Sequence, residues 1–328
     1  MVASQLDSAR RPRGGGGTRL ESVSASAQAI GIDIGGTKTA LAAVDAAGRV
    51  HARASFGTQS TRGFPTCLVE LVERIRNVLK QANRKSESLS GIGIGCAGPV
   101  NPQRGTIHNP YTLPGWDGAE IVTPLREIFR VPVCLENDAD AAAVGEFHLG
   151  AGRAADPLVM ITLGTGVGGA VLVDGKIYRG VNGEHPELGH IPVTPDGPEC
   201  YCGRRGCWES LASGTAIAAA GEAIGFKDSC AVFAAPRDAK ARAIIQRAVD
   251  ATATAAWTLV HTFLPHRIVL GGGIAEEHFD LFAVAMRRQV SLATQIPKDR
   301  VEVVKAELGH EAGVIGAARL AFQNSKLT

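Results

Sequence analysis

Three of the seven cysteines of this 328-residue chain lie close together, in the segment CYCGRRGC at 200–207. With His190 upstream, Cys200, Cys202 and Cys207 offer three thiolates and one imidazole, a ligand set that suits tetrahedral Zn²⁺. A Cys-x-Cys disulfide would be strained and would leave one thiol unpaired, and the Cys-x-x-Cys spacing typical of redox pairs is absent. Four protein ligands leave no position for water, so the spacing predicts a structural zinc ion rather than a catalytic one.

Three glycine-rich turns come directly after apolar, strand-like segments. Glycine lets the backbone approach a phosphate closely and turn successive N–H groups toward it, although a tight hairpin turn without a ligand is the alternative for any single turn. Lys38 has a second alternative, a surface charge. The residues predicted to bind phosphate are Asp33, Gly35, Gly36, Thr37, Lys38, Gly164, Thr165, Gly166, Gly271, Gly272 and Gly273.

Two better-known phosphate motifs are disfavoured by the residues on the C-terminal side of these turns. The first turn lacks the Gly-Lys-Ser/Thr of a P-loop and continues into a strand. The segment from Gly164 to Gly169 satisfies G-x-G-x-x-G, but it continues into the β-branched run AVLVDGKI, whereas a dinucleotide site needs a helix N-terminus there. A dehydrogenase is therefore not expected.

The elements that must position these residues occur twice in the same order. A strand, a glycine turn and a second strand begin near Ile30 and again at LVMITLGTG, and each hairpin precedes helices and a further strand. Helical periodicity predicts helices at 65–83, 119–129 and 242–263, and the strand VPVCLEN leads into an Ala-rich helix at Asn137–Asp138. The repetition predicts a duplicated α/β architecture with a cleft between two lobes.

Composition narrows the class of protein. The formal net charge is +2 with no basic run, so neither nucleic acid nor a membrane is an expected partner. Apolar stretches are too short to span a bilayer, and the N-terminus lacks a secretory apolar core, which favours a cytoplasmic protein. Residues 1–27 are polar and rich in Gly, Ser and Arg, and we expect them to be disordered. The remaining cysteines are predicted to be reduced thiols: Cys67, Cys96, Cys134 and Cys230.

Five segments together resemble the ROK family, and they cover roughly residue 28 to the C-terminus: GIDIGGTKTALAAVD, LENDADAAAVGE, ITLGTGVGGAVLVDGKIYRG, HPELGH and CYCGRRGCWESLASG. The family contains bacterial sugar kinases and sugar-responsive repressors. The resemblance implies the two-lobed, duplicated ribonuclease-H-like fold of actin and hexokinase. It places 28–138 plus 311–328 in an N-terminal lobe and 139–310, with a zinc loop at 190–207, in a C-terminal lobe.

The resemblance also implies a chemistry: an ATP- and Mg²⁺-dependent kinase acting on the 6-hydroxyl of a hexose. Asp138 matches the catalytic base, and a carboxylate can take the proton of a hydroxyl as phosphoryl transfer proceeds. Its structural alternative is an N-cap for the Ala-rich helix. Asp33 would act through the metal and its waters. The implied sugar contacts are Gly98, Asn137, Glu187, His190 and Glu209.

The sugar itself is left open by the sequence. Thr112, in YTLPGW, stands where many family kinases have a sugar-contacting Asn, and Asn109 is offset from that position. Glucose is the first choice by base rate, with N-acetylmannosamine, N-acetylglucosamine and fructose as alternatives and ATP or polyphosphate as donor. Glu184 and His185 are expected to be solvated loop charges.

The rival class is a ROK repressor, which needs a DNA-binding helix-turn-helix before the first strand, where a disordered segment is predicted. Family members commonly form dimers or tetramers, so we expect a homo-oligomer.

Overall fold

A computed structural model describes residues 27–325, so the predicted tail at 1–27 lies outside the described residues except for Ala27. The strands are β1 (Gln28–Ile34), β2 (Lys38–Asp45), β3 (Val50–Gly57), β4 (Leu89–Cys96), β5 (Val100–Asn101), β6 (Thr106–Ile107), β7 (Val133–Asn137), β8 (Leu158–Leu163), β9 (Val167–Val173), β10 (Lys176–Ile177), β11 (Arg267–Gly271) and β12 (Glu302–Lys305). The α-helices are α1 (Phe64–Gln81), α2 (Val122–Phe129), α3 (Asp138–Leu149), α4 (Glu209–Ala212), α5 (Gly214–Glu222), α6 (Ser229–Phe233), α7 (Ala239–Phe263), α8 (Gly273–Ser291) and α9 (Ala312–Asn324).

The strands form two five-stranded sheets with the same internal order. The first sheet runs β3-β2-β1-β4-β7 and the second runs β10-β9-β8-β11-β12. In each sheet the first three strands in sequence are antiparallel, and the last two add in parallel on the other side. The repetition predicted from the order of elements is therefore confirmed at the level of strand pairing.

Apolar faces of the helices close the two halves. Helix α1 buries Leu71, Ile75 and Val78, which recur at helical spacing, against the isoleucines of β1 and β4. Helices α7 and α8 pack in the same way with β8 and β11 of the second sheet. Among the described residues no helix is both long and apolar enough to cross a bilayer.

Helices α3 and α9 pack against each other and join the halves. Helix α9 lies on β1 and β4 of the first sheet, whereas α3 also contacts β8 and β9 of the second. The approach is too close for side chains: a Cβ atom at Gly93 would lie 1.8 Å from the carbonyl oxygen of Ala317, and one at Gly316 would lie 1.7 Å from that of Ala141. Glycine is required at both positions by this packing.

The predicted element boundaries differ from the structure at a few ends. Helix α2 begins at Val122 instead of 119 because the preceding backbone is committed elsewhere: Glu120 pairs with Thr106, and Ala119 accepts the N–H of Ile107 at 2.9 Å. Helix α7 begins at Ala239, capped by Asp238, three residues before the predicted start. The boundaries proposed for the two lobes remain a prediction.

Candidate active site and metal cluster

The predicted base stands where the first sheet gives way to α3. Strand β7 ends at Asn137, whose Oδ1 accepts the N–H groups of Ala139 at 2.8 Å and Asp140 at 3.4 Å. Asn137 is thus the N-cap, and the alternative in which Asp138 caps the helix is wrong. Asp138 is the first helical residue, which places its carboxylate at the positive end of the α3 dipole.

The carboxylate of Asp33 is an electrostatic neighbour of the Asp138 carboxylate. Burial raises the pKa of Asp138, and the N–H of Ala139 and the charge of His185 partly offset this rise. Burial and then the charge of Asp138 raise the pKa of Asp33 to about 7, while Lys38 lowers it. A base works best when its pKa is near the working pH, and a pair of neighbouring carboxylates is a site that favours a cation.

The five predicted sugar contacts lie together near Asp138. A Cβ atom at Gly98 would lie 2.8 Å from Nδ2 of Asn137 and 3.8 Å from Oε1 of Glu187, so the backbone at 98 is flanked by both groups. Desolvation raises the pKa of Glu187; the imidazoles of His185 and His190 lower it, and the charges of Asp138 and Glu209 raise it further. Residues distant in sequence are therefore electrostatic neighbours in one pocket.

Strand β9 positions the second half of this pocket. The turn that carries Glu187 and His190 packs so closely on β9 that a Cβ atom at Gly189 would lie 2.2 Å from the carbonyl oxygen of Val167. The N–H of the same Val167 donates to Oε2 of Glu209 at 2.9 Å. One strand residue thus fixes both the HPELGH turn and the glutamate that comes two residues after the last clustered cysteine.

The cysteine cluster assembles as the spacing predicts. The ligand atoms of His190, Cys200, Cys202 and Cys207 all lie within 4.8 Å of one another. Nδ1 of His190 is 3.4 Å from Sγ of Cys200, and Sγ of Cys202 is 3.5 Å from Sγ of Cys207. Zn–S bonds of about 2.3 Å at tetrahedral angles would separate two sulfurs by roughly 3.8 Å, so the donor set fits Zn²⁺.

The chain around the cluster is built to bring these sulfurs together. None of the seven cysteines is in a disulfide. Gly203 and Gly206 have φ values of 88° and 69°, the left-handed region that glycine favours, which lets the chain curl so that the three sulfurs converge. Trp208, directly after Cys207, is fully buried and donates its indole N–H to Oγ1 of Thr252 on α7 at 3.0 Å. The cluster is therefore anchored to the core of the second half.

Two of the three predicted phosphate loops are neighbours. A Cβ atom at Gly272 would lie 2.5 Å from the carbonyl oxygen of Leu163, which places the loop at 271–273 beside the one at 164–166. Helix α8 starts there without a side-chain cap, so N–H groups of its first turn are available to an anion. The remaining loop, with Gly35, Gly36, Thr37 and Lys38, lies at the end of the first sheet, where Thr37 and Lys38 are exposed.

A buried charge network beside Asp138 was missed by the sequence analysis. Arg179 pairs with both Glu136 and Asp140, and Nδ1 of His185 lies 2.8 Å from Oδ2 of Asp140. The expectation that His185 is a solvated loop charge is wrong, since its side chain is only 11% exposed. Burial lowers the pKa of His185, but the hydrogen bond to Asp140 and the charge of that carboxylate outweigh this effect and raise it. Spacing along the chain could not predict these ion pairs, because the partners of Arg179 and His185 lie on the distant elements β7 and α3.

The departure at Thr112 also has a structural account. Thr112 packs on the first predicted phosphate loop, where a Cβ atom at Gly36 would lie 3.0 Å from Cβ of Thr112. Asn109 is buried, and its amide donates to the carbonyl oxygen of Ala97 at 3.1 Å and to Oγ1 of Thr112 at 2.6 Å. Its Oδ1 accepts the N–H groups of the next turn of chain. Asn109 therefore holds this turn and has no donor left for a sugar.

Comparison of the sequence with known proteins identifies the family of this chain. The ROK family profile matches residues 29–324, nearly the whole of the described chain. This chain belongs to the ROK family. The two-lobed, duplicated α/β fold expected from the resemblance, that of actin and hexokinase, is confirmed.

Several relatives of this ROK protein are sugar kinases. A glucokinase from Thermotoga maritima is 33% identical over 310 residues, which cover 89% of this chain and 96% of the relative. An N-acetylmannosamine kinase from Citrobacter koseri is 34% identical, with 89% and 98% covered. The crystal structure of a ROK glucokinase from Streptomyces griseus with glucose and AMPPNP superposes with a TM-score of 0.73 at 30% identity, over 90% of this chain and 99% of the other.

Proposed function

We propose that this ROK protein is an ATP-dependent hexose kinase that transfers the γ-phosphoryl group to the 6-hydroxyl of a sugar, with glucose as the first candidate. The observation that carries the proposal is the position of Asp138, at the start of α3 and in one pocket with Gly98, Asn137 and Glu187. Glucokinases at 33% identity with nearly full coverage, and a ROK glucokinase structure that holds glucose with an ATP analogue, support the substrate and the donor.

Asp138 acts as the general base. As the sugar oxygen forms its bond to the γ-phosphorus and the bond to the β-phosphate oxygen breaks, the hydroxyl proton passes to the Asp138 carboxylate and ADP leaves. Burial raises the pKa of Asp138, which makes its carboxylate a stronger base than an exposed one. Glu187, His190 and Glu209 bind sugar hydroxyls and orient the acceptor, because carboxylates and imidazoles make charge-assisted hydrogen bonds with them.

The glycine loops hold the triphosphate. The loops at 164–166 and 271–273 meet at the uncapped start of α8, and the loop at 35–38 supplies backbone N–H groups and Lys38 from the first sheet. Mg²⁺, when bound, would neutralise phosphate charge, and Asp33 is the residue that would hold it, through water. The carboxylate of Asp33 beside Asp138 supports a cation at this position.

The Cys₃His cluster holds a structural zinc ion. His190 presents Nδ1 to the cysteines, which leaves Nε2 for a sugar hydroxyl, so the metal orients a substrate contact as well as the loop. The test is the metal content of the purified protein: one zinc per chain, lost in Cys202→Ser. Chelation should raise the sugar KM and lower the melting temperature. A chelated, folded protein with an unchanged sugar KM would refute the link to the substrate.

A second substrate, N-acetylmannosamine, is favoured by a specific observation. The N-acetylmannosamine kinase from Citrobacter koseri is as similar as the glucokinases, and Thr112 replaces the asparagine common in family sugar kinases. Because Asn109 is committed to its own turn, its amide does not replace the missing contact.

The deciding experiment measures sugar-phosphate formation from glucose, mannose, fructose, N-acetylglucosamine and N-acetylmannosamine, with ATP and separately with polyphosphate as donor. The highest kcat/KM identifies the sugar, and turnover without sugar gives the background. No turnover on any sugar together with tight binding to operator DNA would support a regulator instead. Size-exclusion chromatography with light scattering tests the expected homodimer or homotetramer, and limited proteolysis tests the lobe boundaries.

A further inference from the structure

Two exposed tyrosines from different halves of the molecule meet at the sugar pocket. Tyr111 belongs to the turn between β6 and α2, and Tyr201 lies between the first two cysteines of the metal cluster. Their ring centroids are 5.1 Å apart, with an interplanar angle of 38°. This separation is within the range of attractive aromatic pairs.

Each tyrosine is held in place by its own half. Oδ1 of Asn109 accepts the N–H of Tyr111 at 3.2 Å, and the Asn109 amide ties the same turn to Ala97, next to the sugar-site glycine Gly98. Tyr201 is flanked by Cys200 and Cys202, so the metal cluster fixes its backbone. The contact is therefore made by two independently anchored turns.

Tyr201 also lies beside two of the predicted sugar ligands. Its ring packs edge-on against the imidazole of His190, with centroids 5.0 Å apart. Partial burial and then the neighbouring Glu209 carboxylate raise the pKa of Tyr201. Each of these two ligands has a further anchor, the cysteines for His190 and the Val167 N–H for Glu209.

The exposure of the two rings argues against a role in the core. Tyr111 is 66% exposed and Tyr201 is 61% exposed, so the pair buries little surface and contributes little to folding. Because the contact fills no core, its effect falls on the side chains that lie beside the two rings. Here those side chains are a histidine and a glutamate of the proposed sugar pocket.

We propose that Tyr111 and Tyr201 are positioning residues for the sugar: the pair bridges the two halves across the pocket and holds His190 and Glu209 in their sugar-binding arrangement. The proposal rests on the proposed kinase function. Its chemical content is specific, because Tyr111 acts only through Tyr201, whereas Tyr201 acts through its ring on His190 and through its hydroxyl on Glu209.

The test is a double-mutant cycle with Tyr111→Ala, Tyr201→Ala and the double variant, using the best sugar of the panel. We expect either single change to raise the sugar KM roughly 2- to 10-fold, the range of an aromatic pair, with kcat and the ATP KM nearly unchanged. The double variant should be no worse than Tyr201→Ala, because the two residues act as one unit. Tyr201→Phe should lose only the part due to Glu209, and Tyr111→Phe should behave as the wild type.

The third tyrosine supplies the matched control. Tyr178 is 45% exposed and packs on Phe263, away from the pair, so Tyr178→Ala should leave the sugar KM unchanged. Melting temperatures of all variants should stay close to the wild type. An unchanged sugar KM in Tyr111→Ala, or effects that multiply in the double variant, would overturn the proposal.

Failure of this inference can be told apart from failure of the kinase assignment. If the wild type phosphorylates a sugar and the alanine variants match it, only the tyrosine pair is refuted. If the wild type binds a sugar by calorimetry without turnover, the kinase assignment falls and the same cycle is measured on the sugar Kd. A wild type that neither binds nor phosphorylates any sugar of the panel refutes both.

Discussion

Helices α3 and α9 hold equivalent places in the two halves, yet they begin differently. Each comes after the last parallel strand of its own sheet and packs against the other sheet. Helix α3 starts directly after β7, with Asn137 as cap and Asp138 and Asp140 in its first turn. Helix α9 starts several residues after β12, without a side-chain cap, and a Cβ atom at its Gly313 would lie 2.7 Å from Oδ2 of Asp33.

The difference shows that two halves with the same fold can supply different groups to one site. One helix start supplies the carboxylate that is proposed to take the proton, and the other supplies space for the carboxylate of β1. Both helix starts are positioned by the same close packing of α3 on α9, in which Gly316 meets Ala141. Substitutions in α3 should therefore change the rate of proton transfer or the stability of the fold. A substitution at the start of α9 should instead change the affinity for the nucleotide.

The largest effect is expected at the start of α3. Asp138→Asn keeps the side-chain shape but removes the proton acceptor, so kcat should fall about 10²- to 10⁴-fold while the sugar Kd is retained. Kinetics and calorimetry on the same preparation separate the two quantities. Asp280→Asn, an exposed position on α8, is the control. If Asp138→Asn turned over at the wild-type rate, Asp138 would not be the general base.

The next effect concerns the other half of α3. Glu146 is fully buried, and its carboxylate accepts the N–H groups of Ala151 at 2.7 Å, Leu308 at 2.8 Å and Glu307 at 3.1 Å. Glu146→Ala leaves these donors unpaired and should lower the free energy of unfolding by about 3 kcal/mol. Denaturant melts measure the loss, and the exposed Glu222→Ala should change the same quantity by less than about 0.5 kcal/mol. Equal stabilities would contradict the structural role.

A smaller effect is expected from the network that faces the start of α3. The charge of His185 lowers the pKa of Asp138, so in His185→Gln that pKa rises further. Because the base must be ionised, the acid limb of kcat/KM should move to higher pH, with a greater loss at pH 6 than at pH 8. The exposed His266→Gln is the control for the pH profile. A shift toward lower pH would show that the imidazole charge does not act on the base.

The smallest effect is expected at the start of α9. In Gly313→Ala the new methyl group displaces the Asp33 carboxylate, which should raise the KM for MgATP by less than about tenfold. Stability should not fall, since alanine favours a helix over glycine by about 1 kcal/mol. The KM effect should vanish in an Asp33→Ala background. A loss that persists there would place the cause in the packing of α9.

The sequence was informative wherever a signal is local. Cys200, Cys202 and Cys207 are close in the chain, and with His190 upstream their spacing was enough to predict the cluster. Hydrophobic periodicity located α1 and α7 to within a few residues, and the change from β7 to α3 was predicted at the correct residue. These signals depend on neighbours that the chain itself places nearby.

Other parts of the site depend on contacts between distant segments. His185 has a partner on α3, Tyr111 meets a residue of the metal loop, and the start of α9 lies against Asp33. Neither hydrophobic periodicity nor residue spacing predicts these pairs, because the two partners are far apart in the sequence and each alone resembles a loop residue. The ROK resemblance supplied the fold and the candidate contacts, whereas the residues that tune them required the three-dimensional arrangement.

Trp208 offers a built-in optical reporter of the proposed metal cluster. Its indole is sealed in the core, bonded to Thr252, and covalently adjacent to Cys207. Of the three tryptophans in the chain it alone neighbours a predicted metal ligand, while Trp116 lies in the other half, against Phe64. Emission from Trp208 should therefore track loss and return of the ion in real time, without label or substrate, and a Trp208→Phe variant identifies its share of the signal.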